Sequence, residues 1–171
     1  HVHKRKNMTI LIKNKHTLQI DEFKFRCCIG KSGFTKNKKE GDKKTPKGTF
    51  KIENLYYRKD RLEKPVTSLK CVEIKKDMGW CDDINVPRKY NKRIKVEKKI
   101  KHEMLRRNDY KYDLLVPIKY NFKRPIPGLG SCIFIHLTKN FKPTAGCIAL
   151  KKNDFLIMLK LVKKNTKIKI F

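Results

Sequence analysis

Apolar residues in this chain arrive in short runs. Met8 to Lys13, His16 to Ile20, Phe23 to Ile29, Thr49 to Tyr57, Tyr112 to Tyr120, Cys132 to Leu137 and Thr166 to Phe171 are strand-length segments rich in β-branched and aromatic residues. Asn14-Lys15, glycines and prolines punctuate them, and the first two runs are spaced as a hairpin. Pro117 edges or interrupts the run around it. One stretch has helical period: Phe155, Leu156, Met158, Leu159 and Val162, with Asn153 or Asp154 as the expected cap and Lys163 and Lys164 facing the C-terminal dipole. The pattern predicts a mainly β fold with one or two helices. Gly30 to Gly48 reads as a long ordered loop, and residues from about 58 to 110 as an irregular insertion within one domain. A chain of 171 residues is long enough for a full hydrophobic core.

The charge balance narrows the partners. The chain has 45 Lys+Arg against 16 Asp+Glu, a net charge of +29, yet 39% of its residues are apolar, so the charge sits on a folded surface. A basic module binding nucleic acid or another polyanion is the rival that this charge raises. The basic residues are mostly Lys, they are spread through nearly every segment, and no aromatic-Arg interleaving of a nucleic-acid motif occurs, so no specific nucleic-acid partner is expected. No run approaches the length of a membrane span. The sequence opens at His1 and not at Met, as expected of a processed or trimmed chain.

Six cysteines, Cys27, Cys28, Cys71, Cys81, Cys132 and Cys147, form no C-x-x-C pair and do not cluster with histidines, so neither a structural metal nor a disulfide framework is expected. Most lie in apolar runs as small hydrophobes. Gly30-Lys31-Ser32 has the tail of a phosphate-binding loop, but Phe25 stands where that loop needs its first glycine. Cys147 differs from the other thiols. It follows Thr144, Ala145 and Gly146 in a small-residue turn, downstream of His136 at the end of an apolar strand. A thiol nucleophile needs such a base, and a small-residue turn leaves room for backbone N–H groups to face a substrate carbonyl. An adjoining imidazole is expected to lower the thiol pKa from its usual value. Read on spacing alone, a core histidine and one more buried thiol account for the same residues.

The His136 strand end and the Thr144-Ala145-Gly146-Cys147 turn resemble the catalytic motif of the YkuD-type L,D-transpeptidases, enzymes that remodel bacterial peptidoglycan. Gly30-Lys31-Ser32-Gly33 and the loop Thr45-Pro46-Lys47-Gly48-Thr49-Phe50 are similar to that family's upstream signature. The resemblance implies a mixed β-sandwich, Cys147 as nucleophile, His136 as base and acid, Gly146 with the Cys147 amide at the oxyanion, and no cofactor. It implies peptidoglycan stem peptides as donor and acceptor, a monomer, and a workplace in the periplasm or cell envelope. Transfer to an amine makes a cross-linking transpeptidase; transfer to water makes an L,D-carboxypeptidase. The sequence departs from the common motif at Ala145, where the family has His, at Ala149, where it has Arg, and at Leu137, where it has Gly. Arg106 and Arg107 are the expected replacements for the missing cation, with His102, its neighbour Glu103 and Trp80 as further contacts from the insertion.

Overall fold

The computed structural model describes residues 8–171, so the sequence start at His1 lies outside the described residues. The strands are β1 (Thr9–Ile12), β2 (Thr17–Ile20), β3 (Phe23–Cys28), β4 (Phe34–Thr35), β5 (Thr45–Pro46), β6 (Gly48–Lys51), β7 (Leu55–Tyr57), β8 (Cys71–Glu73), β9 (Met78–Cys81), β10 (Arg93–Lys95), β11 (His102–Met104), β12 (Leu114–Pro117), β13 (Phe134–Leu137), β14 (Ile148–Leu150) and β15 (Lys167–Ile170). The one helix among them is α1 (Lys152–Leu161). The fold is thus mainly β with a single helix.

Ten strands form one mixed sheet in the order β6-β15-β1-β2-β3-β14-β13-β12-β7-β8. β1 and β2 pair antiparallel as the predicted hairpin, while β15 returns parallel to β1, and β13 and β14 are also parallel. One apolar cluster takes side chains from both ends of the sheet, Ile10 and Ile168 as well as Leu55 and Leu114, so the sheet curls around it. The two layers of the expected sandwich are therefore two halves of one curled sheet. Pro117 ends β12, opposite Phe134, where its missing N–H costs no ladder bond further along the strand.

The helix begins earlier than its sequence predicts. Lys151 occupies the N-cap position with no side-chain cap, and Asp154 lies in the first turn, where its charge meets the helix dipole. Lys160, not Lys163 or Lys164, is the basic residue of the last turn. Packing decides these bounds: Phe155, Met158 and Leu159 are buried in the main core, and that register outweighs the missing cap of about 1 kcal/mol.

The segment from about 58 to 110 is more regular than its sequence suggests. It contributes β8 to the large sheet and forms a separate antiparallel sheet, β10-β9-β11. This small sheet covers the outer face of the central strands. Strand alternation makes that possible. Leu114, Ile135, Leu137, Ile148 and Leu150 face the main core, whereas Leu115, Phe134 and Cys147 face a second cluster with Trp80, Leu105 and Tyr112.

Candidate active site

β13 and β14 run side by side, with Ile135 opposite Ile148 and His136 opposite Ala149. Because side chains alternate along a strand, Phe134 and His136 share the outer face of the sheet, and Cys147, just before β14, emerges on the same face. His136 and Cys147 both line one cavity of about 560 Å3, together with Thr144, Ala145 and Ala149. They are only 7% and 8% exposed, so the pair lies at the bottom of the cavity.

The His136 Nδ1 lies 2.9 Å from the Leu137 carbonyl oxygen, which can only accept, so Nδ1 carries the proton and Nε2 has a free lone pair. The Cys147 Sγ donates to the Cys132 carbonyl at 3.1 Å and receives the Phe134 N–H at 3.4 Å. No hydrogen bond joins the imidazole to the thiol in this resting arrangement. Burial, with the negative charge of Glu103 nearby, pushes the Cys147 thiol up to about 12. Burial also brings the His136 imidazole down to about 4, against the opposing effect of the Leu137 carbonyl and aided by Lys111. The expected lowering of the thiol pKa is therefore reversed, because desolvation penalises both charged forms. Both groups are neutral near pH 7.

Three separated sequence motifs meet behind Cys147. Thr45 is fully buried; its Oγ1 accepts the Gly30 N–H at 2.9 Å and donates to the Gly146 carbonyl at 2.8 Å. Gly30 forms a bridge with Thr144, and the Lys31 N–H donates to the Thr144 carbonyl at 2.8 Å. Only glycine fits at two of these places. A Cβ on Gly30 falls 2.5 Å from the Lys43 carbonyl oxygen, and one on Gly146, at φ +142, falls 2.9 Å from that of Lys44. Within the turn the Gly146 N–H donates to Thr144 Oγ1 at 3.1 Å, and Thr144 Oγ1 donates to the Cys147 carbonyl at 2.6 Å. The Gly146 amide is thereby engaged inside the turn.

The insertion supplies the opposite wall, but not through all the residues expected. Arg107 lines the cavity, held by a bidentate pair with Asp109 at 2.8 and 2.7 Å, its guanidinium 5.1 Å from the Tyr112 ring centre. Arg106 pairs instead with Asp60 at 3.3 Å, and it does not line the cavity. Trp80 is a core anchor, 2% exposed, donating its indole N–H to Asn91 Oδ1 at 2.9 Å. His102 and Glu103 do not act as a pair. Neighbours on strand β11 point to opposite faces, so Glu103 reaches the cavity while His102 directs Nδ1 to the Ile100 carbonyl at 2.6 Å. Lys38, Lys43, Lys111 and Lys142 also line the cavity, with Lys38 ion-paired to Asp42. Where the common motif places Arg, fully buried Ala149 stands opposite His136, and the basic residues that line the cavity come from other elements.

Sequence reading offered Glu103 only as the neighbour of His102, and it missed Tyr112 and Lys111 as cavity residues and Thr45 as the clamp on the Cys147 turn. The period-two pattern of His102–Met104 was the available signal for Glu103; Lys111 and Tyr112 carry none.

The catalytic-domain profile of the L,D-transpeptidase (YkuD) family matches residues 1–170, and the chain belongs to that family. Among solved structures it is similar to Bd1075 of Bdellovibrio bacteriovorus, with a TM-score of 0.50 and 16% sequence identity. That alignment covers 97% of this chain and 48% of the other, so the chain spans about half the length of that relative. No curated protein matches the sequence.

Proposed function

We propose that this protein is a cysteine L,D-transpeptidase that acts on peptidoglycan stem peptides through an acyl-thioester at Cys147. One observation carries the reading: Cys147 and His136 stand on the same face of adjacent parallel strands, at the bottom of one cavity, with the His136 Nε2 lone pair uncommitted. Cys147 Sγ attacks the stem carbonyl while its proton passes to His136 Nε2. His136 then delivers that proton to the departing amine, the C–N bond breaks, and the acyl group remains on sulfur. The Cys147 N–H stabilises the oxyanion in between. An amine of a second stem completes a cross-link; water completes trimming by the same residues. Family membership supports a workplace in the cell envelope, and among the described residues no helix is long and apolar enough to cross a membrane.

Stem peptides carry carboxylates, and the cationic cavity rim together with the +29 net charge draws them in. Incubation with a disaccharide-tetrapeptide, followed by mass spectrometry, tests the reading. The wild type yields a tripeptide or a cross-linked dimer and a covalent adduct at Cys147. Cys147→Ala yields neither, and His136→Ala slows both by about a thousandfold, the range of a positioned acid-base group. Product formation that survives Cys147→Ala, or no product with salt-sensitive binding to nucleic acid in its place, overturns the proposal.

A further inference from the structure

Acylation of Cys147 uses one base, yet the cavity contains a second group able to take a proton. Glu103 shares the cavity with Cys147 and His136. Its Oε1 accepts the Tyr112 hydroxyl at 2.8 Å, and the Tyr112 ring meets the His136 ring edge-on at 5.4 Å. Among the described residues no Lys or Arg forms an ion pair with Glu103; Arg107, the basic residue nearest it in sequence to line the cavity, is held by Asp109. The groups that face it are Cys132, Tyr112, Asp82 and Arg107. A carboxylate without a cation partner beside a nucleophile is costly to keep for packing alone.

Proton accounting gives it a task. When the acyl-thioester meets water, one proton leaves the attacking oxygen, and His136 can carry it to the departing sulfur. An amine acceptor arrives as an ammonium, with one proton more. That proton must leave before nitrogen has a lone pair with which to attack. A second proton leaves as the amide forms and passes through His136 to Cys147 as the C–S bond breaks. Hydrolysis therefore needs one base, and cross-linking needs two.

Resting on the acyl-enzyme reading of Cys147, we propose that Glu103 is a further catalytic residue, the base that takes the first proton from the acceptor ammonium. The ammonium sits against the Glu103 carboxylate, transfers its proton, and attacks the thioester carbon; Glu103 then releases the proton to solvent. Burial holds the Glu103 carboxyl above the ordinary carboxylate range, which makes it a stronger base than an exposed carboxylate.

The test compares wild type with Glu103→Gln, an isosteric change that keeps an acceptor for Tyr112, and with Glu103→Asp as a second variant, on disaccharide-tetrapeptide as donor and acceptor. Adduct at Cys147, dimer and tripeptide are followed separately. The expected result is a dimer-to-tripeptide ratio down about a hundredfold in Glu103→Gln, the lower end of what a positioned base contributes, with the Cys147 adduct still formed. Glu103→Asp, which keeps the base, retains part of the dimer yield. Hydroxylamine, an acceptor uncharged at neutral pH, resolves the Glu103→Gln adduct at the wild-type rate, an outcome that a merely distorted cavity would not give. An unchanged dimer-to-tripeptide ratio, or a wild-type adduct that yields no dimer, overturns the role of Glu103. Absence of any adduct on wild-type Cys147 is a separate result that overturns the acyl-enzyme reading as well.

Discussion

The floor and the wall of the cavity are built on different physics. Cys147 and His136 stand on strands whose opposite face, Ile135, Leu137, Ile148 and Leu150, is wholly within the main apolar core. The wall contributed by the insertion is held by buried polar bonds instead. Asn91, 4% exposed, accepts from the Trp80 indole N–H at 2.9 Å and the Cys132 N–H at 3.2 Å. It also donates to the Tyr120 and Asn121 carbonyls at 3.1 and 2.7 Å. Arg58, 4% exposed, donates to the Arg107 carbonyl at 2.6 Å and forks onto Asp60. Apolar packing is graded and tolerant of shape change, whereas a buried polar clasp either satisfies all its groups or leaves some stranded. Cys147 thus rests on the forgiving part of the molecule and its surroundings on the exacting part.

Truncating each part should separate them most clearly. Asn91→Ala strands the Trp80 and Cys132 donors and is expected to cost about 3 kcal/mol in urea unfolding, against about 1 kcal/mol for Ile135→Val in the floor. Asn91→Gly tolerates the left-handed backbone at φ 55, so a similar loss there assigns the cost to the bonds and not to strain. Equal losses for Asn91→Ala and Ile135→Val would erase the distinction.

Acid sharpens it next. His136 is the floor's titratable group, and burial brings its pKa down to about 4 from about 6.5 in the unfolded chain. Below pH 6.5 the unfolded state takes up a proton that the folded state refuses, so stability falls with pH until the folded pKa is reached. The expected loss between about pH 6.5 and about pH 5 is about 2 kcal/mol, and His136→Gln removes that slope. A slope unchanged in the variant would place the acid sensitivity in the wall. The smallest effect is within the wall itself. Arg107→Ala is expected to raise KM about threefold, the scale of a partly exposed ion contact, while Arg106→Ala leaves KM unchanged. Steady-state kinetics on the stem substrate decide it, and the reverse order would exchange the roles of the two arginines.

The same division explains what the sequence disclosed. The strands of the floor are read directly from β-branched and aromatic runs, because a strand buried on both faces must be apolar throughout, and the His136 and Cys147 signals stand out against that background. The wall was not readable in this way. Trp80, His102 and Arg106 looked as suitable for substrate as Arg107, since composition does not say where each side chain will point; Asp60, distant in sequence, pairs with Arg106 away from the cavity, whereas Asp109, two residues on, holds Arg107 at it. Helix capping was misplaced for a related reason: a local signal at Asn153 and Asp154 yielded to the register demanded by Phe155, Met158 and Leu159. Thr45 lay in a recognised motif, but its contact with Gly146 spans most of the chain and leaves no local pattern.

The position of β15 bears on how the molecule comes into being. That strand sits between β1 and β6, parallel to the first and antiparallel to the second, so neither has its neighbour on that side until the chain beyond the helix has been synthesised. The nascent chain therefore carries two unsatisfied strand edges, that of β1 rich in Ile and Leu, through most of translation. Long-range pairing of this kind folds slowly. When β15 arrives, its lysines are exposed and its isoleucines buried along Lys167–Ile170, so the strand that closes both edges turns its charge to solvent and its apolar side chains to the core.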